Sequence, residues 1–381
     1  MDCKYDVLVT DADQRVALEI VRSLGQAGVG VFAVELESNN KKPLAAASKF
    51  CSAFSSISSY TGEDFISICS MCSVIFPIST NTIIQCFDRA AKEFPERFLL
   101  PPEKLFKDTN DKSVLAQKAA EIGVNYPQGF SIDNNEDLKA AVGNIGYPLV
   151  MKLCNDEGLF LAPSERYQIV NSESELNLAW EVLSRHKKKI LVQEYIKGYG
   201  VGFSAVYDEN HQCTASFQHK RLREYPINGG PSTYCQSIFK QLIEKEGRKM
   251  LDQLKWVGPA MVEFKYDEEA DKLTLIEINP RYWGSLPLAR KSGINIPVIH
   301  YHLVTGDEVG HIEKYRNDMK IKFLITDLIA AFKEINQKRS YIIGPWKYFF
   351  EFVDLKLAWG IWMLKDPMPT FRYFFNRLLN R

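Results

Sequence analysis

The most constraining stretch of this sequence is a pair of apolar segments that carry charge where charge is expensive. Met261–Tyr266 and Leu273–Asn279 alternate apolar and polar residues around the polar turn Asp267–Lys272, a pattern that predicts an antiparallel hairpin. Glu263 falls on the first strand; Glu277 and Asn279 fall on the second, with Arg281 just beyond. Positions 277, 279 and 281 share a parity, so an extended strand points all three side chains to one face. Such a set within the apolar run LTLIEINPR is unfavourable unless that face meets a ligand. Two carboxylates and an amide oxygen are the hard donors that Mg2+ prefers, with positions left for water and phosphate. Arg281 beside them offers a planar fork for a phosphate or carboxylate. The alternative is a surface hairpin with ordinary salt bridges.

Upstream, the first hundred residues alternate strand and helix. Tyr5–Thr10 reads as a strand, Gln14–Ala27 as a helix with Val16, Ile20, Val21 and Leu24 on one face, and Gly28–Glu35 as a second strand. Ser73–Ile78 is another apolar strand, followed by a helical pattern over Asn81–Glu93. Strands separated by helices imply a parallel, doubly wound sheet. The first turn, Thr10 to Gln14, has no glycine; side chains there block close approach of a pyrophosphate, which disfavours NAD. Pro101–Asp108 reads as a connector, and Asn110 or Asp111 caps a helix over Lys112–Ile122 closed by Gly123.

Beyond this the texture becomes α+β. A helix near Asp133–Val142 precedes the strand Pro148–Leu153, and a helix over Ser172–His186 precedes the strand Ile190–Tyr195. Val201–Tyr207 and Cys213–Leu222 read as antiparallel strands, with a helix over Ser237–Trp256 before the hairpin. The expected fold class is therefore α/β plus α+β: a Rossmann-like domain over 1–108, a second domain over 109–310, and a helical, aromatic-rich extension over 311–381.

Composition closes off other classes. Lys+Arg and Asp+Glu both number 47 in 381 residues, so no global field draws nucleic acid or an anionic membrane. The start, MDCKYDVLVTDAD, places acids where a signal peptide needs basic and then apolar residues, so a cytoplasmic protein is expected. Cys69 and Cys72 form a single CxxC with no second pair or nearby His, and the eight scattered cysteines read as reduced thiols. No Ser-His-Asp or Cys-His arrangement is apparent.

The hairpin sequences MVEFKYD and LIEINPRYWGS resemble the metal-binding strands of the ATP-grasp superfamily, in the branch of biotin carboxylase and carbamoyl-phosphate synthetase. The resemblance covers about residues 1–305. It implies that Glu263, Glu277 and Asn279 bind Mg2+ (or Mn2+) between the phosphates of ATP, and that Arg281 meets the transferred phosphate or the substrate. It makes Lys152, ending the strand YPLVMK, a contact of the α- and β-phosphates and Lys112 an earlier phosphate contact, where the plain reading is a solvated or capping lysine. ILVQEYI resembles the family's adenine-reading strand, with Glu194 and the peptide groups of Tyr195 and Ile196 in that role. The run HKRLREYPINGGPST clusters Lys220, Arg221 and Arg223 ahead of Gly229, Gly230 and Ser232. A similar stretch in carboligases resembling amino-acid ligases assigns substrate and γ-phosphate binding to Arg221, Arg223, Gly229, Gly230 and Ser232. Two departures stand out: CNDEGLFLAPSER has only Gly158 where relatives have a Gly-rich lid, and Val201 stands near their ribose-binding acid.

The implied activity is that of a ligase which activates a carboxylate as an acyl phosphate with Mg-ATP and joins it to an amine, on amino-acid or small-metabolite substrates. The competing expectation is a nucleotide-binding regulatory or scaffold protein; a bicarbonate-using carboxylase lacks its biotin-carrier lysine motif. Residues 341–381 carry twelve aromatics and nine charges netting +3, with Trp346, Phe349, Phe350, Val353 and Leu357 at helical spacing. A helical extension packed on the core or on a second subunit is expected there. The sharper alternative is a peripheral-membrane or carrier-protein contact. Expected partners are a small-molecule carboxylate and amine and a homodimer mate, with no nucleic acid.

Overall fold

A computed structural model describes residues 3–37, 42–155, 159, 161, 165, 167–225, 230–312, 314–338 and 343–379. Three sheets organise the chain. The first is parallel: β1 (Tyr5–Val9), β2 (Val31–Leu36), β3 (Ala53–Ile57) and β4 (Cys72–Phe76) stand in the order β3-β2-β1-β4. Its strands are apolar on both faces because helices cover both: Val7 and Val9 pack with Ile20 and Leu24 on one side, Leu8 with Phe65 and Cys69 on the other. The glycine-free turn after β1 is stitched by Asp11, itself in a left-handed conformation at φ 52°. Its carboxylate accepts from Thr10, the Ser79 N–H and Thr82, at 2.6, 3.1 and 3.0 Å, and its own N–H donates to Tyr60.

The second sheet is antiparallel in the order β5-β8-β6-β7, from β5 (Gly129–Ile132), β6 (Leu149–Leu153), β7 (Tyr167–Val170) and β8 (Ile190–Glu194). Helices Asn135–Ile145 and Glu173–Ser184 back it; Asn134 and Ser172 cap them, their side chains accepting N–H groups of the first turn. The third sheet holds β9 (Tyr199–Tyr207), β10 (Cys213–Glu224), β11 (Ser232–Ile238), β12 (Gly258–Asp267), β13 (Lys272–Asn279), β14 (Lys320–Lys322) and β15 (Leu357–Trp359) in the order β13-β12-β9-β10-β11-β14-β15. All its pairings are antiparallel except β14 with β15. The helix Gln241–Gln253 lies on it through Ile243, Met250 and Leu251, and Gly247 gives it close approach, since a Cβ there would stand 2.3 Å from the Phe203 ring. The α/β-then-α+β architecture with a helical extension is thus present.

Four local expectations change. The connector expected over Pro101–Asp108 is mostly the helix Glu103–Asn110, which buries Phe106 and Thr109. The helix expected over Asn81–Glu93 is two, Thr80–Asp88 and Ala90–Glu93, broken at Arg89, whose guanidinium donates to Thr61 and Glu63. The helix expected from Ser237 begins at Gln241, because Tyr234, Cys235 and Gln236 pair with β14 and Ser237 donates to Arg316. The aromatic stripe expected to run helically to Leu357 ends at Phe352; Leu357 opens β15, whose pairing to β14 extends the sheet. The extension is also anchored to the first sheet's helix Arg15–Gln26. There the buried Arg22 donates to Asp366 (2.9 Å) and to the carbonyls of Ile361 and Asp366 (both 2.7 Å).

Candidate active site

The second and third sheets face each other across a cavity of about 430 Å3. Register explains its floor. Glu263 on β12 pairs directly opposite Glu277 on β13, and the next pair, Phe264 with Leu275, leaves Ile276 as an extra residue. This bulge lets Ile276 and Glu277 both line the cavity. Asn279 donates to Glu277 at 3.0 Å and accepts from Arg281 at 3.1 Å, so the three side chains form a hydrogen-bonded row. Arg281 also donates to Thr80 (3.1 Å) and to the Tyr282 carbonyl (2.9 Å), tying the row to the first sheet.

Lys152, at the end of β6, projects from the opposite wall and is 8% exposed. Lys112 joins it because its backbone N–H donates to the Cys154 carbonyl at 3.0 Å, which docks the first turn of the helix Lys112–Ile122 beside that strand. Asp111 caps this helix through the N–H groups of Ser113 and Val114. The electrostatics follow. Burial pushes Lys152 down to about 8, with Lys112 adding to the fall. Burial works against a charge on Glu277, but Lys112 and Lys152 outweigh it and hold the carboxyl below its ordinary value. Burial pushes Glu263 up to about 7, against the pull of Arg221. Arg221 is ion-paired to Glu263 and reaches Glu224 (3.4 Å) and the Gly230 carbonyl (3.3 Å).

Glu194 ends β8, with its carboxylate on the Gln128 N–H at 2.9 Å; Tyr195 and Ile196 continue along the cavity edge. Between them and the floor, Val150, Ile169, Phe264 and Ile276 make an apolar slot. The structure thus gathers Lys112, Lys152, Glu194, Tyr195, Ile196, Arg221, Gly230, Ser232, Glu263, Glu277, Asn279 and Arg281 around one cavity.

Arg223 does not join them. Parity would place it beside Arg221, but the pairing of β10 with β11 slips between the two residues, and the bulge turns Arg223 away. Its guanidinium instead meets Asp327 at 2.9 Å, Glu351 at 3.1 Å and Glu334 at 3.3 Å, all in the C-terminal extension. Gly229 lies outside the described residues, as does much of the lid segment including Gly158. Val201 is fully buried within the third sheet.

Sequence reasoning missed the far end of the cavity, where Arg15, His219, Trp283 and Ser285 line the wall. His219 is buried and kept neutral, burial and then Arg221 pushing it down to about 3; its Nε2 lies 3.3 Å from the Ser285 hydroxyl. Gly202 opposite leaves room for the ring, which a Cβ would approach to 2.3 Å. Arg15 comes from the first sheet's helix, so no local motif could reveal it. A second cavity of about 380 Å3 shares Arg15, Val16 and Gly284 with the first and is bordered by Tyr373 of the extension. Among the described residues, no group of three or more His, Cys, Asp or Glu side chains could hold a metal by itself.

Residues 186–326 match the family described as ATP-grasp in the biosynthetic pathway with Ter operon. In overall shape the chain is similar to N5-carboxyaminoimidazole synthetase from Staphylococcus aureus in its ADP complex, with a TM-score of 0.67 at 15% identity over 84% of this chain and 82% of that one. The biotin carboxylase of Campylobacter jejuni, in its β-γ-ATP complex, is similar over 83% of this chain and 74% of its own, with a TM-score of 0.65 at 16% identity. By sequence, the chain is 24% identical over 198 residues to the carbamoyl phosphate synthase large chain of Thermoanaerobacter sp. (strain X514). That match takes in 49% of this chain but spans only 18% of the relative's length. Human mitochondrial carbamoyl-phosphate synthase [ammonia] is 21% identical over 223 residues, 56% of this chain and 14% of its own.

Proposed function

We propose that this protein is an ATP-dependent ligase that activates a carboxylate as an acyl phosphate and joins it to an amine. The observation that carries the reading is the Glu263–Glu277 register, which sets two acids, Asn279 and Arg281 opposite Lys112 and Lys152 across one cavity. The donor set fits Mg2+: Glu263, Glu277 and Asn279 would hold it with few protein ligands, as suits an ion shared with phosphates. The bound ion would supply charge neutralisation at those phosphates. Lys152 and Lys112 orient the phosphate chain and offset its charge, while the slot of Val150, Ile169, Phe264 and Ile276 excludes water from the base. The peptide groups of Tyr195 and Ile196 and the acid of Glu194 stand at the edge where a purine would be read. Arg221, which neutralises Glu263 in this structure, is the guanidinium that a transferred phosphate or substrate carboxylate would recruit. Arg281, locked on Thr80 and Asn279, faces the acyl group. The substrate carboxylate attacks the γ-phosphorus and ADP leaves; the amine then attacks the acyl carbon, phosphate leaves, and the proton lost by the amine passes to that phosphate or to solvent, so no protein nucleophile is required.

The second cavity beyond Arg15 and Gly284 gives the amine a separate approach. Amino acids and small metabolites suit the Arg-lined end in charge and size. One relative in shape, the 2-oxoglutarate carboxylase biotin carboxylase domain dimer of Hydrogenobacter thermophilus, is described in complex with MgADP and bicarbonate, and that dimer supports expecting a homodimer here. The test is ADP and phosphate release with Mg2+ across pairs of carboxylates and amines. Full turnover by Glu277→Ala would sink the metal assignment. Tight ATP binding with no ADP formed from any pair would instead favour a nucleotide-binding scaffold, a reading prompted by the buried Val201 at the ribose position.

A further inference from the structure

Among the described residues, most of the exposed large apolar side chains lie in the C-terminal extension, on three helices in succession. Helix Leu324–Lys338 shows Leu328, Ile329 and Phe332 to solvent; helix Ile343–Phe352 shows Trp346, Phe349 and Phe350. Helix Met368–Leu379 shows Phe371, Phe374 and Phe375, at i, i+3 and i+4. The connections add Val353, Leu364 and a fully exposed Leu355. Scattered apolar residues are ordinary on protein surfaces, but a run of this density marks an interaction face.

The charges decide what kind of face it is. Residues 341–381 contain three acids and six bases. Every one of the acids is turned inward and paired: Glu351 with Arg223 and Lys322, Asp354 with Lys320, and Asp366 with Arg22, where it is buried. Lys356 and Lys365 stand exposed in the same connections as Leu355 and Leu364. Helix Leu324–Lys338 adds Asp327 and Glu334, both held by Arg223, and the exposed Asp318 lies 3.7 Å from Lys356; the face therefore sets aromatic and aliphatic side chains beside three exposed lysines, Lys333, Lys356 and Lys365. Tryptophan and phenylalanine next to lysine and arginine suit the boundary between acyl chains and anionic headgroups. Among the described residues no helix is long and apolar enough to cross a membrane, so the contact is with one surface. An apolar recess of about 200 Å3, walled by Phe323, Trp359, Ile361, Trp362 and Phe374, gives room for part of an acyl chain.

We propose that helices Leu324–Lys338, Ile343–Phe352 and Met368–Leu379 dock this protein peripherally on an anionic lipid surface. The inference is independent of the ligase reading. Its occupant is a lipid surface rather than a second copy or a carrier protein, because a like-charged copy would bring lysine against lysine. The buried Arg22–Asp366 and Arg223–Asp327–Glu351 contacts hold the helices to the body of the chain, so docking would carry the whole protein.

The test is sedimentation of the full chain with vesicles of neutral phosphatidylcholine, alone or with a third of phosphatidylglycerol, at low and high salt. Binding to the anionic vesicles at least tenfold tighter than to neutral ones, and weakened by salt, is expected. The variant Phe349→Ser/Phe350→Ser/Leu355→Asp/Leu364→Asp should lose at least tenfold of that binding while keeping its circular dichroism spectrum. A second variant, Lys356→Glu/Lys365→Glu, alters only exposed side chains and should shift binding toward the neutral-vesicle value. No binding to anionic vesicles, or equal binding to both kinds, would overturn the proposal. So would a wild-type dimer that the apolar variant converts to monomer with vesicle binding unchanged.

Discussion

Replacing Lys152 with methionine should make the ligand-free protein more stable while damaging its use of ATP. Methionine keeps the stem that packs in the cavity wall and removes the ammonium. Lys152 is buried, and its fall from 10.5 to about 8 corresponds to roughly 3 kcal/mol at pH 7, at about 1.36 kcal/mol per pH unit. The attraction of Glu277 and Glu263 for the ammonium is already contained in that net fall, and with partial relaxation of the cavity wall the expected gain in urea unfolding is about 1–3 kcal/mol. The sign has a distinct pH signature. Between pH 8 and 10.5 the unfolded wild type binds a proton on this lysine that the folded form does not. Wild-type stability from this group therefore rises with pH across that window, and the advantage of the variant shrinks toward zero by pH 10.5. The same substitution removes a charge-assisted contact to phosphate, worth about 1.5–3 kcal/mol, so ATP affinity should fall roughly ten- to hundredfold. Paired urea titrations at pH 7 and pH 10, with calorimetric titration of Mg-ATP, read both effects. A variant less stable than wild type at pH 7, or an advantage constant with pH, would refute the reasoning.

Three further outcomes follow from other parts of the structure. Glu277→Ala should lower substrate-stimulated ADP formation by on the order of 100-fold or more, measured by coupled assay, with the far-ultraviolet spectrum unchanged. Asp366→Ala strands the buried Arg22 and should cost about 3–5 kcal/mol in chemical unfolding, whereas Arg22→Met/Asp366→Leu together should cost far less; equal losses would show that the pair is not what anchors the extension. Gly198→Ala sets a Cβ 2.3 Å from the Tyr266 carbonyl oxygen at a φ of 105°, and should cost about 1–3 kcal/mol of stability in thermal or urea melts.

Much of this protein could be read from local pattern. The hairpin was legible because alternation and a polar turn fix parity, and parity alone puts Glu277, Asn279 and Arg281 on one face; the structure adds Glu263 as the direct partner of Glu277. The helix Lys112–Ile122 was legible to the residue, since Asp111 and Gly123 are physical stop signals: one caps the free N–H groups, the other adopts φ 75°. The parallel first sheet followed from strands alternating with amphipathic helices. Short strands were not legible. β14 has three residues, and its existence depends on a partner edge supplied by β11 rather than on any period of its own.

The site divides in the same way. Sequence by itself placed Glu277, Asn279 and Arg281 on one face of an apolar strand, whereas Lys152 stood out only through its resemblance to a family's strand lysine, and its burial beside them came from the structure. Only the tertiary structure decided which of the paired arginines on β10 faces the cavity. One slip of register sends Arg221 to Glu263 and Arg223 to Asp327, and register is a property of two strands rather than one. Arg15 and His219 reached the cavity wall for a related reason, since their place depends on how the first and third sheets are packed together. The C-terminal extension shows both sides at once. Its aromatic density and positive balance are written in the sequence, but that the three acids of 341–381 are all paired, with exposed aromatics left outside, depended on partners as distant along the chain as Arg22 and Arg223.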